Sequence, residues 1–126
     1  MRKLPGILKT AASVLAISGG LALPQVSVLA AEEKATSVVD QGKAIAFNRK
    51  KGNCLACHQI EGGSLAGNIG PPLIAMKARF PDKSKLRAQI WDATKANPNT
   101  IMPPFGRHKI LSESEIDKVV EFIYTL

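Results

Sequence analysis

Two thiols and an imidazole stand together in Cys54-Leu55-Ala56-Cys57-His58. The chain has only two cysteines and two histidines, so this one stretch holds both thiols and one of the two imidazoles. Thiols three positions apart can add across the two vinyl groups of a haem, and a histidine directly after them can turn back to ligate the iron. One short helical turn supplies that geometry. Cys-x-x-Cys-His therefore reads as the attachment site of a single haem c, covalent through Cys54 and Cys57. Other chemistries fit less well. A dithiol redox pair of the thioredoxin kind expects a strand before the motif and a parallel βαβ setting, whereas the preceding residues read as helical and no strand-like run occurs. Tetrahedral zinc wants four ligands, and only distant His108 is left to add. A disulfide across two intervening residues would staple almost nothing.

Iron with one histidine has a sixth position to fill. Met102 lies in Thr100-Ile101-Met102-Pro103-Pro104-Phe105-Gly106, where two prolines stiffen the loop and can hold a weak thioether ligand in place. Two rivals exist. Met76 falls in the middle of an expected helix, where methionine usually fills core. His108 would give a bis-histidine iron, but Gly106-Arg107-His108-Lys109 reads as solvated. A proximal histidine also needs its second ring N–H held by an acceptor, which fixes tautomer and orientation. The rigid Gly70-Pro71-Pro72-Leu73 turn offers the Pro71 carbonyl, while Pro72 can also open the next helix as its first residue. Trp91, the only tryptophan, could donate its indole N–H to a haem propionate or could be ordinary core with a backbone partner. The candidate cofactor contacts are thus Cys54, Cys57, His58, Met102, Pro71 and Trp91, with His58 and Met102 on the metal. No residue is assigned a catalytic role.

Helices must position these groups. A helical pattern runs from about Val38 to Lys51 and stops at Gly52, a suitable residue just past a helix end. Gly42 falls in its middle, where glycine costs about 1 kcal/mol relative to alanine. A close crossing with the C-terminal helix would account for it. Residues 59–70 form a loop with four glycines. A short helix is expected from Leu73 to Phe80, stopped by Pro81. A second follows, capped by Asp82 or Ser84 and running to about Lys95, with Leu86, Ile90 and Ala93 on its apolar face. Asn97-Pro98-Asn99 breaks it. The last helix is the plainest: Ser112 and Glu115 form a capping box, Leu111 and Ile116 a hydrophobic staple, and Ile116, Val119, Val120 and Ile123 one stripe.

The first residues read as an address. Arg2, Lys3 and Lys9 precede an uncharged apolar run, Ala11 to Leu23, and Val28-Leu29-Ala30 offers a peptidase site, so residues 1–30 are expected to be a signal peptide. The alternative, a retained anchor, falls short of the ~20 apolar residues a spanning helix needs. Export to the periplasm agrees with covalent haem attachment, which in bacteria takes place outside the inner membrane. Residues 31–37 would be a mobile leader and 38–126 one small domain. Cleavage after Ala30 leaves 96 of the 126 residues, with few aromatics, and domains this small often need a cofactor as a staple. It also lowers the net charge from +7 to +4. Basic clusters at Arg49-Lys50-Lys51 and from Lys77 to Arg87 suit either a solvated surface or steering of an acidic redox partner. No nucleic-acid motif accompanies them.

Together these features resemble a class I cytochrome c over essentially the whole mature chain. That family implies a small all-α fold, with crossed N- and C-terminal helices packed around one haem. Gly67-Asn68-Ile69-Gly70-Pro71-Pro72-Leu73, Met102-Pro103-Pro104-Phe105-Gly106 and the Leu-Ser-x-x-Glu-Ile start of the last helix are similar to SoxX, the monohaem subunit of the periplasmic SoxAX complex. SoxAX is an L-cysteine S-thiosulfotransferase: it conjugates thiosulfate to a cysteine of the carrier SoxYZ at a haem in SoxA. The resemblance implies a heterodimer with a SoxA-like subunit. This chain would receive the electrons and pass them to a soluble acceptor, without a catalytic centre of its own. Two other roles are a freestanding cytochrome shuttle and a haem enzyme or gas sensor, the last requiring a vacant or displaceable sixth ligand.

Overall fold

Gly42 and the carbonyl of Lys118 set the architecture. In the computed structural model, which describes residues 36–126, helix α1 (Val38–Phe47) crosses helix α4 (Glu113–Ile123) at this point. A methyl group on Gly42 would lie 1.9 Å from Lys118 O and 3.0 Å from Phe122 Cβ, so only glycine lets the two backbones meet. Beside the crossing, Phe47 and Phe122 pack edge to face, centroids 5.8 Å apart. Between these helices the chain adds a short α2 (Met76–Arg79) and α3 (Lys83–Trp91), with single 3-10 turns at Cys54–Ala56 and Ala93–Lys95. No strand occurs among the described residues, and none of their helices is long and apolar enough to cross a membrane. The fold is the small all-α cytochrome c type. The expected signal peptide lies outside the described residues, as does the expected leader except for Thr36 and Ser37.

Those two residues are already part of the helix start. Ser37 Oγ accepts from Asp40 N–H at 3.1 Å, and Gln41 Nε2 donates to Thr36 O at 2.7 Å. At the other end α1 stops at Phe47, four residues before the expected Lys51. Asn48 turns extended, and its side chain accepts from Lys50 N–H while its carbonyl accepts from Lys51 and Asn53 N–H. This local capture of the backbone by asparagine outcompetes the helix. Gly52 then folds back onto α1 and donates to Ile45 O at 3.2 Å. It acts through close approach, not through the left-handed conformation expected at a helix C′ position, which Asn53 takes instead.

Two more helix ends move inward. α2 begins at Met76, not Leu73, because Ala75 is left-handed and Met76 N–H is drawn to the C-terminal Leu126 carbonyl, 2.8 Å away. Pro72 therefore does not open a helix. α3 is capped by Asp82, whose carboxylate accepts from Ser84 N–H, and ends at Trp91 because Asp92 turns extended to cap the following 3-10 turn. α4 carries the expected capping box, and Ile116, Val119, Val120, Phe122 and Ile123 are its buried side. Ion pairs from Lys83 to Glu121 and from Arg87 to Glu113 and Asp117 lace α3 to α4.

Candidate haem site

The Cys-x-x-Cys-His stretch winds tightly after Asn53. Cys57 and His58 N–H both turn back to the Cys54 carbonyl, at 3.2 and 2.9 Å. This places both sulfurs and the imidazole on the wall of one cavity of about 540 Å³, within the range of small-molecule and cofactor sites. Burial is the main cause pushing the Cys54 thiol up to about 11, with the neighbouring Cys57 adding less, so at neutral pH the unmodified thiol stays protonated.

The imidazole is held on two sides. His58 Nδ1 lies 2.7 Å from Pro71 O. A carbonyl can only accept, so Nδ1 carries the proton and Nε2 keeps its lone pair for a metal. Gly70 lies flat against the ring; a methyl group there would sit 2.5 Å from His58 Cε1 and 2.7 Å from Nδ1. Gly70 N–H in turn donates to Cys57 O at 2.8 Å, which ties the Gly-Pro-Pro turn to the motif itself. Gly70 is a site residue that sequence reasoning misses. Its place directly before the two prolines was the available signal, but a cradle becomes visible only once the ring direction is known.

Met102 lines the same cavity, on a separate segment, with its N–H bonded to Thr100 Oγ1 at 3.2 Å. Neither rival does. Met76 is only 2% exposed, packed in the core outside the cavity wall, and His108 is exposed on the far turn. Trp91 departs from its sequence-based expectation. It does not line the cavity, and its indole N–H donates to Glu113 Oε1 at 2.9 Å across the α3–α4 seam.

The cavity fits a covalently held haem. Phe80, Leu86, Ile90, Phe105 and Leu111 give it an apolar lining, suited to a flat tetrapyrrole. Arg49, Lys50, Lys51 and Arg79 also line it, and no Asp or Glu does. That charge suits a group bearing two carboxylates. Cys54, Cys57, His58 and Met102 all line the cavity, and would offer two thiols for attachment and an imidazole and a thioether as iron donors.

Comparison with known proteins agrees with this geometry. The sequence model of the family described as Cytochrome c matches residues 39–126. A chain in the crystal structure of SoxXA from P. pantotrophus is similar, with a TM-score of 0.64 and 28% identity, over 73% of this chain and 83% of that one. An uncharacterized lipoprotein of Aquifex aeolicus (strain VF5) is 34% identical over 76 residues, which is 60% of this chain but 37% of the relative. The chain thus spans little over a third of that protein's length.

Proposed function

The chain belongs to the cytochrome c family, and we propose that it works in the periplasm as the monohaem, electron-accepting subunit of a SoxAX-type complex. One observation carries the electron-transfer reading: His58 and Met102, which would be the two iron donors, line the same cavity as Cys54 and Cys57. When bound, haem c supplies a one-electron iron couple, whose potential methionine ligation raises. The chain's own residues do the rest. Cys54 and Cys57 would hold the group through thioethers. Pro71 O keeps the His58 proton on Nδ1, so the imidazole offers Nε2 and no other atom. Gly70 leaves the room that this ring orientation needs. Met102 would supply the second donor and so leave no open position for a substrate. Both cysteines of the sequence are used for attachment on this reading, so none is left to act as a sulfur carrier.

The SoxX-like part of the reading is supported by the Gly67–Leu73 and Met102–Gly106 segments and by the structural likeness to a chain of SoxXA. On this reading electrons come from thiosulfate conjugation on a SoxYZ-like carrier through a SoxA-like subunit, and leave to a soluble acceptor. Purifying the haem-loaded protein from its native source tests it. A stoichiometric second haem protein that survives high salt is the expected result. A monomer whose partners dissociate with salt would instead identify a freestanding shuttle, a role favoured by the basic cavity rim.

A further inference from the structure

The Met102 loop is pinned at its far end by a contact that lies wholly outside the cavity. Gly106 N–H donates to the Trp91 carbonyl at 3.0 Å and Arg107 N–H approaches the same oxygen at 3.4 Å. Arg107 Nε also faces Asp92 Oδ2 at 3.3 Å, and that carboxylate is 1% exposed. Above these bonds the Trp91 indole covers Gly106. A methyl group on Gly106 would lie 2.0 Å from Trp91 Cδ1 and 2.2 Å from Nε1. Gly106 has no positive φ, so space, not backbone freedom, requires glycine here. The ring cannot easily swing aside. Its N–H is bonded to Glu113, which Arg87 holds from the other side while donating to Asp117 at 2.7 Å.

We infer that Trp91 is a positioning residue for the sixth ligand: its ring, seated on Gly106, sets where the Met102 sulfur stands. The inference rests on the His58/Met102 reading above. Between Met102 and Gly106 stand Pro103, Pro104 and Phe105. Both prolines have fixed φ, and the Phe105 carbonyl accepts from Ile110 and Leu111 N–H at 2.9 and 3.1 Å. A segment this stiff passes a displacement at Gly106 along to Met102 instead of absorbing it. Thr100 Oγ1 holds the near end, so Trp91 is the far anchor of a short strap.

The test uses the haem-loaded protein and reads the weak near-infrared methionine–iron absorption, the midpoint potential and imidazole binding. Gly106→Ala should lose most of the band, lower the potential, and bind imidazole about tenfold more tightly as the bound-sulfur state is depopulated. Adding Trp91→Leu to Gly106→Ala should raise the band to the reduced level of Trp91→Leu alone, because the clash is gone and the anchor with it. A merely structural role would leave these readouts unmoved in the folded holoprotein. If Gly106→Ala keeps the wild-type band and potential, or if the double variant recovers nothing, the inference is overturned. If Gly106→Ala yields no holoprotein, Trp91→Leu alone decides: a weaker band supports the strap and an unchanged one overturns it. Absence of the band from wild type would overturn the ligation reading and this inference with it.

Discussion

At the scale of single residues, the His58 ring owes its fixed orientation to one carbonyl and one missing methyl group. Pro71 O holds Nδ1 and Gly70 leaves room for the ring face. Gly70→Ala should therefore force the imidazole or the turn to move, lowering the yield of holoprotein and shifting the Soret and midpoint potential of what forms. Spectroelectrochemistry of the purified variant checks this; an unaltered potential would show that the ring tolerates the methyl. The Pro71 contact was legible because a rigid turn soon after the motif leaves few acceptors within reach. Gly70 was not legible, since its role depends on the direction the ring takes. The Trp91 partner is hidden from the sequence for a related reason. Its partner Glu113 lies 22 residues away, on a seam formed only when α3 packs on α4.

At the scale of elements, the crossing of α1 and α4 holds the helix whose Val119 and Ile123 reach the cavity wall. Gly42→Ala would place a methyl group within 2 Å of a backbone carbonyl, and separating the helices should cost about 3 kcal/mol, at the upper end of overpacking penalties. Urea denaturation of the holoprotein measures it. Removing the α4 cap with Ser112→Ala should cost less, about 1 kcal/mol. The crossing and the cap were readable because each has a local signature: a glycine out of place in a helical stripe, and Ser-x-x-Glu before an apolar run. Helix ends were not. α1 stops early because Asn48 captures its own backbone, α2 starts late because Met76 bonds to the chain terminus, and α3 yields to Asp92. Periodicity describes which face is apolar and says little about where competing side-chain bonds end a helix.

At the scale of the whole molecule, charge is sorted. The α4 acids Glu113, Glu115, Asp117 and Glu121 pair with Lys51, Lys83 and Arg87, while the cavity rim carries Arg49, Lys50 and Arg79 with no acid among the lining residues. Electron transfer with an acidic partner should slow as ionic strength rises. The substitution Lys50→Glu should slow it about tenfold at low salt, which stopped-flow kinetics would read. The paired acids also make the fold's stability depend on pH at its acid end. The Lys51 ammonium and then Ser112 hold the Glu115 carboxyl below its ordinary value of 4.5, as Arg87 and then the Trp91 indole do for Glu113. Folded values below unfolded ones mean that this stability is present above about pH 4.5 and is lost as the pH falls through the folded values. Glu115→Gln should flatten that acid limb of a thermal-melt series.

The most direct measurement is the optical spectrum of the mature haem-loaded protein, oxidised and reduced, for wild type and Met102→Ala. Ligation by His58 and Met102 predicts a weak near-infrared band in the oxidised wild type that disappears in the variant. A band that persists in Met102→Ala, or is missing from wild type, would contradict that ligation and with it the role of a closed electron-transfer haem.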